Sequence, residues 1–428
     1  SYIADHFRCG MRDLPRSLHL QYTMPHSPGN SDASFRRTAF GHLAHGARGL
    51  DYFGIGINST FTENYIDFRD IDRYAAIRDV NYAVGLVEDI LPESRVVPSK
   101  VALILSDSTE RWDFSGLAKD KASLNVFGAG YKKLRNCYHL DRVGIYYALV
   151  NESRPPDLLI EEDLVNGWLD KFEVAYWVGD CIEPKAFEPI AEWVRGGGHL
   201  VATAGAFRLD SYRRSLPAGT EFLGLTSATL DERETFFRPQ LELPYLQPLD
   251  HVGDMPVFGV IDRVNAAESV EVVSRFANGG PAVIQRKLGK GRITYIAALP
   301  GVTYLYSAHL PPQPPPRGIW SHQLLVNFNA DAGRLITDPV RDVATSVEVD
   351  GGRLDARLLK SPNGYAIPLA NYSPDTDAEL TLTLRGLPPI KRVVSAVRGE
   401  LLMEKTAGGG IVVRYAPGIG DMLRVEPE

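Results

Sequence analysis

Cysteine is scarce: Cys9, Cys137 and Cys181 are the only three in 428 residues. They lie far apart and form no CxxC pair. That spacing argues against a disulfide framework and against a structural zinc site. There is no basic surplus either: 46 Lys and Arg stand against 53 Asp and Glu, a formal net charge of -7. Nothing is left over to neutralise phosphate, so a nucleic-acid partner is not expected. No apolar run reaches the length of a membrane span, so no membrane partner is expected. No secretory signal is visible, and a cytoplasmic location is the expectation. The chain does not begin with Met and opens abruptly, which leads us to expect an incomplete or processed chain. There is no internal repeat. The one glycine-rich turn, LGKGR at 288–292, lacks phosphate-loop spacing and no helix follows it, so no cofactor is expected.

What is present is ordinary for a globular chain: 44% hydrophobic and 23% charged residues. Length alone points to two to four domains. The chain is organised around Arg37–Phe68, RTAFGHLAHGARGLDYFGIGINSTFTENYIDF. Ala39, Leu43, Ala44 and Ala47 recur at helical spacing, and Gly46 and Gly49 stop that helix. Leu50 to Ile57 is an apolar run of the kind a buried strand carries. A polar loop follows with Asn58, Ser59, Thr60, Thr62, Glu63, Asn64 and Asp67. Polar groups beyond the carboxyl end of a buried parallel strand are where α/β folds place ligands.

Upstream, Ser17 to Thr23 alternates as a strand, and MPHSPGNSD after it is turn-rich. Asp70 to Leu91 is predicted as a helix, and Ser94 to Lys100 as a linker. These segments amount to two βα units, whereas a closed barrel needs eight and about 250 residues. Either the missing units lie on a longer parent chain, or this part docks on something else. From Lys100 to Gly224 strands and helices alternate. The predicted strands are 101–105, 157–160, 174–178 and 199–203, and the helices 128–152 and 184–195. Such alternation implies a parallel sheet covered by helices. Residues 277–300 read as a hairpin, 319–332 as a short helix, and the chain from about Pro339 as short antiparallel strands forming a sandwich.

The AHGA pattern, the aromatic strand and the loop after it resemble the last helix and strand of the barrel in family-42 β-galactosidases. EWVRGGGHLVATAG, 192–205, is similar to a stretch of the amidotransferase-like trimerisation domain that follows the barrel in that family. The resemblance implies an α/β multidomain chain. Its parts would be a partial (β/α)8 barrel end over 1–97, a flavodoxin-like, class I amidotransferase-like domain over 98–335, and a C-terminal β-sandwich over 336–428. It implies a carbohydrate ligand and a homo-oligomer, a trimer. It also makes Glu63 a sugar-binding carboxylate, which suits a group that accepts two hydroxyl hydrogen bonds. Without the resemblance, Glu63 reads as a solvated loop acid. Asp67, Asn58, Tyr22 and His26 are candidate sugar neighbours, with Tyr65 beside them. Phe7, Tyr52 and Phe53 offer further apolar faces, although core packing explains the last two equally well.

A retaining glycosidase needs two carboxyl groups about 5 Å apart. In the resembling family the nucleophile ends the seventh barrel strand. Here the matching stretch, Gln21 to Asn30, has no Asp or Glu; Met24 or Pro25 falls at the expected position. The acid/base group would lie upstream of this chain. Neither catalytic residue is therefore assigned, and a non-catalytic sugar-binding or assembly protein is the competing expectation. His19, His26, His42 and His45 cluster in sequence, but helix packing explains the last two better than a metal does. Cys181 follows a strand, yet the nucleophile elbow is better placed at Thr203-Ala204-Gly205, where Ala204 has no nucleophile. An amidotransferase or peptidase activity is disfavoured for that reason.

Overall fold

The computed structural model describes residues 1–14, 17–23, 31–52, 71–115, 137–232, 248–308, 324–406 and 408–428. Three apolar cores organise them.

The largest core surrounds a seven-stranded sheet. Its spatial order is 271–275, 281–288, 291–296, 199–202, 174–178, 101–105 and 157–160. The last five strands run parallel and the first two are antiparallel additions. Val101–Leu105 (VALIL) and Val174–Val178 (VAYWV) are buried at every position. This is why they read as continuous apolar runs rather than as alternating ones. Burying each large aliphatic or aromatic side chain contributes about 1.5–3 kcal/mol, which offsets the entropy of ordering the strand. The hairpin forms as the sequence predicts, with its turn at Gly289 and Lys290. The outer strand Glu271–Arg275 was not foreseen; its exposed and half-buried residues carry only a weak pattern. Two antiparallel ribbons, 225–232 with 260–266 and 250–252 with 255–257, were likewise not foreseen.

Several predicted bounds move. The helix expected from 128 is described from Cys137 to Asn151; residues 128–136 lie outside the described residues. Of the helix expected at 319–332, residues 319–323 lie outside the described residues, 324–329 are not helical, and the helix runs over Ala330–Thr337. It starts there because the Asn329 side chain caps it, accepting from the Ala332 N–H at 2.9 Å. The helix expected from Asp70 to Leu91 runs from Ile71 to Gly85.

The C-terminal strands form a sandwich of two antiparallel sheets. Leu380, Leu382 and Leu384 point into its core, as their alternation with Thr381 and Thr383 predicts. The expected linker is not simply a linker. Arg95–Val96 adds a short strand to this sandwich, antiparallel to Leu359–Ser361.

The N-terminal part begins with helix α1 (Tyr2–Gly10). Two three-residue strands, Leu20–Tyr22 and Gly49–Asp51, pair in parallel. Helix α2 (Asp32–Ala44) lies between them in sequence and α3 (Ile71–Gly85) follows. No closed barrel forms among the described residues. Two short strands leave no ring for α2 and α3 to surround. Phe35, Ala39, Phe40, Leu43, Ile77 and Val80 pack instead on the outer face of the sandwich, against Leu359, Ala366, Ala370 and Met422.

A buried polar hub ties these parts together. Asp5 of α1 receives Arg8 at 2.6 Å and Arg357 at 3.0 Å. His45 spans two acids, with Nδ1 2.8 Å from Asp5 and Nε2 2.7 Å from Asp355. Asp157 receives Arg8 at 2.8 Å and Arg357 at 3.2 Å, and the Tyr146 hydroxyl donates to Asp5 at 2.8 Å. Burial alone would raise the Asp5 carboxyl, but Arg357, Arg8 and His45 together hold it well below the usual range. Burial is outweighed at Asp157 by Arg8 and Arg357, and at Asp355 by His45.

Candidate functional site

The parallel pair has two ends, and they differ in chemistry. Tyr22 faces Asp51 across the pair, and the Thr23 N–H donates to Asp51 O at 2.8 Å. This is the carboxyl end of the pair. Of the expected sugar contacts, Tyr22 is placed here and is 44% exposed. Glu63, Asn58, His26 and Asp67 lie outside the described residues, as do Met24, Pro25, Phe53 and Tyr65. Asp51 is exposed at the same edge.

The neighbouring groups are anchored from behind. Tyr52 donates to Asn81 Oδ1 of α3 at 3.1 Å, and its ring lies 5.8 Å from that of Phe35. Burial pushes the Tyr52 phenol up to about 12, so it remains a neutral donor at neutral pH. His42 meets Thr23 Oγ1 at 3.1 Å through Nδ1. Burial brings its imidazole down to about 3, so it is a neutral hydrogen-bonding group there. The Ser31 hydroxyl caps α2, accepting from the Ser34 N–H at 3.1 Å, and fixes where that helix enters.

The described histidines of this group, His19, His42 and His45, do not converge. His42 turns to Thr23, His45 to the two buried aspartates, and His19 to Gln21, at 2.6 Å between Nε2 atoms. No three metal-ligating side chains gather among the described residues. Phe7 is exposed but belongs to the other end of the pair. Its ring lies 6.2 Å from that of His19, which precedes the first strand.

A second crevice is closed by the chain itself. In the large sheet the strand 157–160 lies on one side of 101–105 and 174–178 on the other. The connections reverse there, which is where open α/β sheets bind ligands. Glu161 fills that position. Its carboxylate accepts from the Ser108 N–H at 3.1 Å, the Ser108 hydroxyl at 2.9 Å and the Glu183 N–H at 2.9 Å. The Ser106 hydroxyl donates to Cys181 O at 2.7 Å. Cys181 is fully buried, and burial together with Asp180 pushes its thiol far above the usual range, so it does not ionise as a nucleophile must. The turn at Ala204 also lacks a nucleophile: Ala204 is buried, and Gly205 takes the positive φ of +84° that a side chain there would resist. Glu161 was not singled out from the sequence, because its role rests on distant partners.

No family model matches the sequence, and no curated protein matches it. Solved structures do resemble the fold. A family-42 β-galactosidase from G. stearothermophilus is 15% identical with a TM-score of 0.65; the match covers 99% of this chain and 55% of that one. A β-galactosidase from Bacillus circulans sp. alkalophilus is 17% identical with a TM-score of 0.61, covering 99% of this chain and 58% of that one. An α-L-fucosidase from Paenibacillus thiaminolyticus is 16% identical with a TM-score of 0.56, covering 99% and 63% respectively. The chain thus spans a little over half the length of these structures. Over nearly all of its own length it has a fold like that of the family-42 β-galactosidases.

Proposed function

We propose that this chain forms part of a glycoside hydrolase that acts on β-galactosides or a related glycan, and that it contributes one wall of the sugar site rather than the catalytic pair. The observation that carries this reading is the parallel strand pair, with Tyr22 and Asp51 exposed at its carboxyl end, within a fold like that of the family-42 β-galactosidases. In this reading Glu63 accepts two sugar hydroxyls, Tyr22 offers a ring face, and Asn58, His26 and Asp67 complete the contacts. Residues 98–335 act as an amidotransferase-like assembly domain without amidase chemistry and 336–428 as a closing sandwich; the protein is a homotrimer.

A second reading is favoured by one specific feature: Gln21 to Asn30 contains no Asp or Glu. It makes the chain a carbohydrate-binding or assembly scaffold that cleaves nothing. Aryl β-galactoside turnover by the purified 428-residue chain contradicts both readings, and binding without turnover fits both. The intact mass of the protein in its source cells separates them: a much heavier protein supports the wall of a hydrolase, and a mass matching the 47.2 kDa of this chain supports the scaffold. Light scattering at high concentration tests assembly, and a monomeric mass removes the trimer.

A further inference from the structure

The amino end of the strand pair holds a second cavity, of about 450 Å³. That volume falls in the range of small-molecule sites. The cavity lies where α1, the amino ends of the two strands, the 94–100 segment and the turn Trp168–Lys171 meet. The Arg48 N–H donates to His19 O at 2.8 Å just before the strands begin, so this cavity lies at the end of the pair opposite Tyr22 and Asp51.

Its lining is basic. Arg8, Arg12, Arg48, Arg95, Lys100 and Lys171 border it, and Asp157 is the one acid. Asp157 is already neutralised by Arg8 and Arg357, and Arg12 is engaged with Asp163 at 3.1 Å. Arg48, Lys100 and Lys171 have no carboxylate partner among the described residues. Burial, and then the like charge of Arg95, lowers the Arg48 guanidinium from its usual value. His19 is 5% exposed and lines the same cavity; its Nδ1 has no partner among the described residues. With Gln21 Nε2 donating to His19 Nε2, the ring proton sits on the buried Nδ1. Trp168 supplies an aromatic wall, with Lys171 Nζ 3.3 Å from its ring centre. Cations without a carboxylate partner, beside an aromatic wall that Lys171 and Arg12 also face, describe a receptor for a tetrahedral oxyanion carried on a small ring.

We propose that this cavity binds a phosphorylated or sulfated small molecule, its oxyanion held between Arg48, Lys100 and Lys171 beside His19, and its ring lying against Trp168. The ligand bridges the N-terminal part and the large sheet, so its binding stabilises their packing.

The test is calorimetric titration and thermal unfolding of the full 428-residue chain with inorganic phosphate, inorganic sulfate, a hexose 6-phosphate and a hexose 6-sulfate, against chloride at equal ionic strength. Saturable binding and a saturable rise in Tm with phosphate or sulfate, absent with chloride, is the expected result. The hexose esters bind more tightly than the bare ions, and the two esters show which oxyanion is preferred. Arg48→Gln weakens the titration by about tenfold, the loss of one charged hydrogen bond. Lys100→Gln, at an exposed position that leaves the fold intact, weakens it severalfold. Responses that only track ionic strength, or that both variants leave unchanged, overturn the proposal.

Discussion

Replacing His45 by Ala tests the internal logic of the fold most severely. The imidazole is fully buried and faces a carboxylate oxygen with each ring nitrogen. Around it, three acids (Asp5, Asp157, Asp355) meet Arg8, Arg357 and the His45 ring. Removing one partner of a buried ion pair costs about 3–5 kcal/mol, because the charge left behind is neither paired nor solvated. Among the described residues, Asp355 loses its one ion-pair partner and Asp5 loses one of three. A His45→Ala loss of about 3 kcal/mol or more in urea-unfolding stability is expected, a large share of the roughly 5–15 kcal/mol of a typical domain. Asp355→Asn removes the charge that His45 faces, so the double variant loses less than the sum of the singles by about 1 kcal/mol or more. A loss below about 1 kcal/mol for His45→Ala, or strict additivity in the double variant, would falsify the account of the hub. The pH dependence has a fixed sign. The folded-state pKa values of these acids lie below the usual carboxylate value, so their stabilisation is present above about pH 4 and is lost as pH falls through the lower folded values.

Three further outcomes follow from single sites. Asp141 is fully buried, accepting from the Gly301 N–H at 2.6 Å and from the Val302 N–H at 3.3 Å. Burial raises its carboxyl to about 7, so its contribution is fully present below about pH 4 and is lost as pH rises through 7. Asp141→Asn keeps the acceptor and removes the charge, so it should raise stability at pH 8 by up to about 4 kcal/mol and flatten the profile between pH 4 and 7; an unchanged denaturation profile refutes the burial argument. A Cβ at Gly144 would lie 2.0 Å from Gly301 O, so Gly144→Ala should cost at least about 1–3 kcal/mol in chemical denaturation, and a neutral result would mean that the helices 137–151 and 300–308 are not in such close contact. Cys181 should resist iodoacetamide in the native chain at pH 8 and react after unfolding, as peptide mapping would show; rapid native labelling would reopen the nucleophile reading.

The buried strands were legible because a strand covered on both faces must be apolar throughout, as VALIL and VAYWV are. The sandwich was legible because Leu380, Leu382 and Leu384 alternate with threonines. Sequence pattern did not reveal that α2 and α3 pack on the sandwich: an apolar helix face states that it is buried, not what covers it. Arg95–Val96 was missed because two residues carry no period. Glu161 and His45 act through partners far away in the chain, 53 residues for Ser108 and 310 for Asp355. Tyr22 was found at a strand end because strand ends open toward solvent. The basic cavity went unnoticed because its cations come from four separated segments, none of them a charge run.

The central claim is that the carboxyl end of the strand pair holds a galactoside through Glu63. Calorimetric titration of the 428-residue chain with a β-galactoside, alongside Glu63→Gln, tests it directly. The account predicts saturable binding to the chain that weakens at least tenfold in Glu63→Gln, with no release of free galactose. Binding that Glu63→Gln leaves unchanged, or no binding by either protein, contradicts it.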